Sequence, residues 1–80
     1  MMPEDAAHWI RVYLELYTTK VRMLDNLRAL MEDQDPDAKA ELVRSDVLLL
    51  EAQLQRFRRR LDYWERRQEE LAEDEVASDA

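Results

Sequence analysis

The stretch DQDPDA, residues 33–38, decides how this chain folds, because one helical pattern stops there and a second one starts. Asp35 is a good N-cap residue, and Pro36 suits the first position of a helix, where its missing N–H is not needed. Asp37 adds negative charge to the first turn, where the helix dipole favours it. The stretch therefore predicts a turn over 33–36 and the start of a second helix at Pro36.

The rest of the chain has few residues that interrupt a helix. Its 80 residues include no glycine and two prolines, and they are 46% hydrophobic and 39% charged. This composition is typical of long amphipathic helices, whereas a β-rich fold needs more turn residues. We expect helix 1 over about 4–32 and helix 2 over about 36–72, antiparallel to each other because the connection is short. Residues 1–73 would form one all-α, coiled-coil-like hairpin domain, and 74–80 an acidic flexible tail.

On the C-terminal side of the turn, apolar residues follow the alternating 4-3 spacing of a coiled coil. Eight of the nine positions in this series are apolar, and Gln68 is the polar exception. Such a series over four heptads predicts a seam that packs against helix 1. The seam consists of Val43, Val47, Leu50, Leu54, Phe57, Leu61, Trp64, Gln68 and Leu71.

On the N-terminal side of the turn, helix 1 carries two adjacent apolar series. The first contains Ile10, Leu14, Tyr17, Val21, Leu24, Arg28 and Met31, and the second contains Trp9, Tyr13, Leu16, Lys20, Met23, Leu27 and Leu30. Together they cover roughly 200° of the helix surface, more than one neighbouring helix can bury. We therefore expect two hairpins to pair into a homodimeric four-helix bundle, although a heterologous helical partner would cover the same surface. The predicted dimer interface comprises Trp9, Tyr13, Leu16, Met23, Leu27 and Leu30.

The segment QRFRRRLDYWERRQ, residues 55–68, concentrates positive charge in a chain whose net charge is −7. Residues 56–67 hold six arginines and two acidic residues, which give this segment a net charge of +4. On the helical wheel Arg58 and Arg60 flank the seam on opposite sides, and the other four arginines, Arg67 among them, point outward. This spread favours a solvated helix face with local ion pairs over a nucleic-acid groove. The expected pairs are Arg58–Asp62, Arg66–Asp62 and Arg66–Glu70.

Helix 2 is expected to extend beyond helix 1, because about 37 residues against about 29 differ by roughly 12 Å in length. A chain that folds back at 33–35 places Trp9 level with residues 59–61. Helix 2 then overhangs from about Glu65, and Leu71, with Trp64 at the margin, lacks a helix 1 residue to cover it. This end of helix 2 is the predicted partner-binding surface, formed by Arg59, Arg60, Trp64, Arg66, Arg67 and Leu71.

Two cations interrupt the apolar series of helix 1. Lys20 lies near the middle of the apolar arc, where a charge needs a partner, and the hairpin geometry puts Asp46 near it. A paired or snorkelling lysine is the simple interpretation. The alternative is a cationic bundle interior, in which Lys20 and Arg28 bind a small molecule or take part in catalysis.

No pattern predicts a catalytic residue, a cofactor or a metal site. His8 is the only histidine and there is no cysteine, so no transition-metal ligand set is apparent. The hydroxyl residues lack a recognisably spaced base, and a phosphate loop would need glycine. No apolar run is long enough to span a membrane, and the lack of cysteine fits the reducing cytoplasm.

These features favour a small, non-enzymatic protein–protein interaction module of the cytoplasm, a regulator or adaptor that acts as a dimeric helical bundle. Apolar burial would supply the affinity, and arginines would supply register and association rate. Nucleotide or RNA binding through residues 56–67 is the alternative, which the overall acidity of the chain opposes. Chemistry at Lys20 and Arg28 is the second alternative.

Overall fold

A computed structural model shows an all-helical hairpin whose two arms run antiparallel, as predicted. It describes the backbone of residues 3–79 and the side chains of residues 5–74. The first arm is helix α1, and the second arm joins helix α2, a π-helical segment and helix α3 end to end. In chain order these elements are α1 (Pro3–Met31), α2 (Pro36–Leu42), the π segment (Val43–Val47) and α3 (Leu48–Asp79).

The turn between the arms is built around Asp35, as predicted. Asp35 has an extended backbone, with φ −70° and ψ 165°, and precedes the first residue of α2, Pro36. The Ala38 N–H donates a hydrogen bond to Asp35 Oδ1 at 2.8 Å, and the Lys39 N–H donates to the Asp35 carbonyl at 2.9 Å. The Ala38 N–H, which has no backbone partner inside the helix, is thereby satisfied, and the Asp35 carbonyl accepts the first regular bond of the helix. The two bonds fix where the second arm begins.

From Ile10 onward, α1 faces the second arm with residues drawn from both predicted series rather than from one. These residues recur at 4-3 spacing, and each is buried or half-buried. A helix in a hairpin buries the stripe midway between the two series, because that stripe lies closest to the neighbouring helix axis. The α1 seam consists of Ala6, Ile10, Tyr13, Tyr17, Lys20, Leu24, Leu27 and Met31.

The seam of the second arm matches the predicted series from Val47 onward, and Gln68 is exposed in it as its polarity suggests. Val43, however, is 38% exposed, and Leu42 is half-buried in its place. The seam therefore takes a five-residue step from Leu42 to Val47. A π-helical turn, with its i→i+5 hydrogen bonds, inserts one extra residue into the helix and so turns a four-residue step of the seam into a five-residue step.

Ser45 lies inside the π segment and takes part in its hydrogen bonding. Its Oγ donates to the Glu41 carbonyl at 2.9 Å, so this carbonyl is bonded to a side chain. The Leu48 N–H donates to the Val43 carbonyl, five residues earlier. A serine that bonds back to the preceding turn competes with the α-helical ladder, and this is a physical reason for the bulge to form here.

The register of the two arms differs from the predicted one by about a helical turn. Trp9 stacks on Trp64, with ring centroids 6.1 Å apart and 18° between the planes, rather than lying level with residues 59–61. The π segment contributes to the shift, because its extra residue adds chain without adding a full step along the axis. Trp64 is consequently covered by helix α1, and the expected overhang does not include it.

The far end of the second arm also differs from the prediction. α3 continues to Asp79, beyond the expected end near residue 72. Residues 73–79 include neither glycine nor proline, so nothing in them stops the helix. The flexibility predicted for 74–80 remains a prediction, because the side chains of 75–80 lie outside the described residues.

Apolar burial, not charge pairing, holds the arms together. Arg28 Nη2 and Glu51 Oε1 form an ion pair across the arms at 3.2 Å, but both side chains are about half exposed. Such a pair contributes less than about 1 kcal/mol. The buried apolar residues in the described part of the chain are few, which makes this core thin: Ala6, Leu24, Val47, Leu50 and Leu61.

Candidate interaction surfaces

An exposed apolar stripe runs along α1, beside the seam rather than in it. Its four residues are spaced by seven, so they lie on one face of the helix. Their exposed fractions are 39%, 39%, 46% and 58% along the chain. We call these residues, Trp9, Leu16, Met23 and Leu30, the α1 stripe. All four belong to the predicted dimer interface.

The other two predicted interface residues face into the hairpin. The Tyr13 ring lies 6.3 Å from the Phe57 ring, and Leu27 packs against the cluster of Leu24, Val47 and Leu50. Both side chains are half-buried within the single chain. The surface available to a partner is therefore narrower than the predicted 200° arc. Its large exposed apolar residues are those of the α1 stripe and, outside the stripe, Leu14.

A groove of about 410 Å³ lies between the arms, next to Met23 of the α1 stripe. Lys20 and Asp46 both line it, so the structure brings these two predicted neighbours together. Among the ion pairs of residues 5–74, none joins Lys20 to Asp46. The groove is otherwise lined by Met23, Leu27, Leu49, Leu50 and Gln53.

Arg28 does not share this groove. It lies on the opposite flank of α1, where it pairs with Glu51 and stays exposed. Lys20 and Arg28 therefore do not converge on one interior site within the hairpin. The groove offers one cation, one carboxylate and an amide.

Gln53 is a feature of the groove that the sequence did not single out. Its Oε1 is buried and has no hydrogen-bond partner in the described part of the chain. Leu49, on the rim of the same groove, is 57% exposed. The run LLL at 48–50 contains more leucines than one seam can use, and that excess was the available sequence signal for an apolar surface here.

The arginines of residues 56–67 surround α3, as predicted, and form no continuous stripe. Arg58 pairs with Asp62 at 3.3 Å, the predicted pair. Arg67, not Arg66, pairs with Glu70 at 3.1 Å. Arg67 lies seven residues after Arg60 and so on the same flank of the seam. Arg67 is half-buried there, whereas an outward position was predicted.

The remaining predicted partner-binding residues fall into two groups. Arg59, Arg60 and Arg66 are exposed, and within residues 5–74 none of them forms an ion pair. Trp64 and Leu71 are half-buried, Trp64 by its stack with Trp9. The arginines are thus open to a partner, and Trp64 is mainly a structural residue.

Aromatic rings gather at the end of the hairpin far from the turn, as their positions in the sequence predict. The Tyr63 ring meets the Trp64 ring edge-on at 5.1 Å, and the His8 ring meets the Trp9 ring in the same manner at 5.3 Å. The single histidine therefore packs on a ring. Over the described residues no group of three His, Cys, Asp or Glu side chains is placed to hold a metal ion.

No helix in the part of the chain that the structure describes is both long and apolar enough to cross a membrane. Comparison of the chain with protein-family models, with curated proteins and with solved structures gives no match in any of the three.

Proposed function

We propose that this chain is a non-enzymatic protein–protein interaction module of the cytoplasm, a small regulator or adaptor that works as a homodimer. The observation that carries the proposal is the α1 stripe. Four large apolar side chains at heptad spacing remain open on a hairpin whose own core is thin. Below about 80 residues, a chain without disulfides or metals commonly gains its stability from a partner chain.

A second copy of the hairpin is the simplest cover for this stripe. Packing two hairpins face to face gives a four-helix bundle, in which each α1 touches the arms of both copies. Covering the half-exposed side chains of the stripe contributes roughly 1 kcal/mol for each of them. Because the two copies contribute equally, the stripe is counted twice in the free energy of association.

The arginines of α3 supply the second surface of the module. Arg59 and Arg66 are exposed and have no ion pair within residues 5–74, in a segment of net charge +4. Such a surface favours an acidic partner segment and speeds its association. The chain as a whole carries a charge of −7, which disfavours non-specific binding to nucleic acid.

Sedimentation at micromolar concentration tests the dimer. We expect about twice the chain mass of 9.6 kDa for the natural chain, and a monomer for Leu16→Glu/Met23→Glu. The matched control is Leu14→Glu/Leu48→Glu, which places the same charges on similarly exposed leucines outside the stripe and should stay dimeric. A natural chain that sediments as a well-folded monomer contradicts the proposal.

Binding of two labelled probes tests the arginine surface: an acidic amphipathic peptide and a single-stranded RNA. We expect the peptide to bind and Arg59→Glu/Arg66→Glu to abolish binding, with the dimer intact. Binding of RNA alone, lost steeply as salt is added, would instead establish the nucleic-acid alternative.

A further inference from the structure

A polar row on the second arm lies beside the α1 stripe, across the groove. Asp46 and Gln53 line the groove, and Arg60 follows Gln53 by the same seven-residue step that separates Gln53 from Asp46. An α-helix returns to nearly the same face every seven residues, so the three form one row. From Asp46 to Arg60 the row reads negative, neutral, positive, with Gln53 at its centre. One further seven-residue step reaches Arg67, whose charge is paired with Glu70 at 3.1 Å.

The α1 stripe and this polar row share a midpoint along the hairpin. The stripe, from Trp9 to Leu30, is centred between Leu16 and Met23, next to Lys20. Trp9, eleven residues before Lys20, stacks on Trp64, eleven residues after Gln53, and Lys20 and Gln53 line one groove. The centre of the stripe and the centre of the row therefore lie at nearly the same level. A single two-fold axis through that level would therefore place the α1 stripe on the α1 stripe of a second copy, and the polar row on the polar row of that copy.

We propose that the second copy of this chain packs on this face in the antiparallel orientation, with the two-fold axis beside Gln53. The inference rests on the homodimer proposed above and specifies how its two hairpins are oriented. In this arrangement each α1 packs on the other α1, and each α3 packs on the other α3. The turn of one copy lies near the far end of the other.

Charge complementarity on this face favours the antiparallel orientation. Rotation about the axis sets Asp46 of one copy opposite Arg60 of the other, and it does so twice because the interface is isologous. It also sets Leu16 against Met23 and Trp9 against Leu30, so apolar residues meet apolar residues. The α1 stripe and the polar row are therefore each complementary to their own copy. Binding of an unrelated partner would not require this property.

The parallel orientation gives neither the charge pairs nor the apolar contacts of the antiparallel one. A two-fold axis along the hairpin would place α1 of one copy against α3 of the other. The α1 stripe would then face the polar row, with Met23 near the level of Gln53 and Asp46. Burying Asp46 and Arg60 against apolar side chains costs free energy, because neither charge would gain a partner.

The unsatisfied Oε1 of Gln53 also fits a position at the axis. Its Oε1 is buried, and no residue in the described part of one hairpin donates a hydrogen bond to it. At the axis, the second copy brings its own Gln53 amide and its Lys20 ammonium to the same place, and both are donors. A central polar layer within an apolar interface fixes register, since any shift leaves buried polar groups without partners.

Cysteine cross-linking tests the orientation directly, because the natural chain has no cysteine. Under mild oxidation we expect Gln53→Cys to form a disulfide dimer, since the two positions meet at the axis. Leu30→Cys is the control, because its two copies would lie about 32 Å apart, far beyond disulfide reach. A mixture of Leu16→Cys and Met23→Cys chains should form the mixed disulfide.

A charge swap provides an independent test. Asp46→Arg and Arg60→Asp should each weaken the dimer by about tenfold, because like charges then meet across the axis. The double variant Asp46→Arg/Arg60→Asp should recover most of the lost affinity. Rescue within one chain is excluded, because the two positions are about 21 Å apart along the helix. Circular dichroism checks that every variant remains helical.

The outcomes separate the two proposals. A dimer that cross-links through Gln53→Cys and is rescued by the double swap supports the antiparallel axis. A dimer with neither property overturns this orientation and leaves the homodimer standing. A natural chain that sediments as a monomer overturns the proposed homodimer, and the orientation with it.

Discussion

Asp35 is the single residue on which the position of the second arm depends most. Its side chain accepts a hydrogen bond from the Ala38 N–H, and Pro36 follows it in a conformation already suited to a helix. Caps act locally, through a side chain and a backbone group three residues apart. For this reason the effect of changing Asp35 is separable from packing between the arms.

Asp35→Ala should lower the free energy of unfolding by about 1 kcal/mol, because the Ala38 N–H loses its acceptor. Urea unfolding followed by circular dichroism measures the change. Asp33→Ala is the control, since Asp33 lies in the same exposed turn but does not cap α2. Equal losses for the two variants would show that turn charge, not capping, is responsible.

Substitution of two leucines of α3 compares what a buried and an exposed side chain contribute to the free energy of unfolding. Leu61 is 2% exposed and Leu48 is 53% exposed. Leu61→Ala should cost about 3 kcal/mol, because it removes buried contacts and leaves a cavity, whereas Leu48→Ala should cost less than about 1 kcal/mol. Urea midpoints at one protein concentration compare the two. Similar losses would mean that Leu48 is buried in the assembled protein.

At the scale of elements, the π segment joins two stretches of the seam whose heptad patterns are offset from each other by one residue. Both stretches can therefore face α1. α2 contributes Leu42, the π segment contributes Val47 at its end, and α3 continues the series from Leu50. The sequence LVRSDV has apolar residues at both 42 and 43, so spacing alone could not decide which one faces inward. The structure selects Leu42, because a π turn accommodates the extra residue.

Deleting Arg44 should convert the π segment into regular α-helix and leave the free energy of unfolding within about 1 kcal/mol of its original value. The deletion shortens the step from Leu42 to Val47 to four residues, which keeps both in the seam. Urea unfolding and helical content by circular dichroism are the measurements.

Deleting Arg59 is the matched control, since Arg59 is another exposed arginine of the same arm. This deletion rotates every later seam residue by about 100° and should cost at least about 3 kcal/mol. If deleting Arg44 is as damaging as deleting Arg59, the π segment is required by the packing of the turn.

At the scale of the whole molecule, the hairpin is a thin object, 64 Å long and 15 Å across. Such a shape has a large surface for its volume, so much of its apolar surface stays in contact with water. Within that surface, the residues of the α1 stripe recur at a regular seven-residue spacing. Stability of the protein should therefore depend on association as well as on the fold of one chain.

The midpoint of thermal unfolding should rise with protein concentration, because association stabilises the folded state by mass action. Melting curves over a hundredfold range of concentration measure this effect. Leu16→Glu/Met23→Glu should melt at a lower temperature that does not change with concentration. A natural chain whose midpoint is also independent of concentration would indicate that one hairpin suffices.

The sequence by itself determined the features that depend on neighbours along the chain. The turn at Asp35, the start of α2 at Pro36 and the seam from Val47 to Trp64 follow from capping, proline geometry and a heptad period. These are short-range effects, and they need no knowledge of what packs on the helix. The same reasoning indicated that the apolar surface of α1 is too wide for one neighbour.

Only the tertiary structure decided which part of that α1 surface packs on the second arm and which part remains exposed. Tyr13 and Leu27 face the second arm while Leu16 and Met23 remain open, although all four belong to one predicted series. The stack of Trp9 on Trp64 likewise sets a register that turn length did not predict. The physical reason is that rotation and sliding of a helix against its neighbour depend on how two surfaces fit together, and a periodic pattern in one helix does not contain that information.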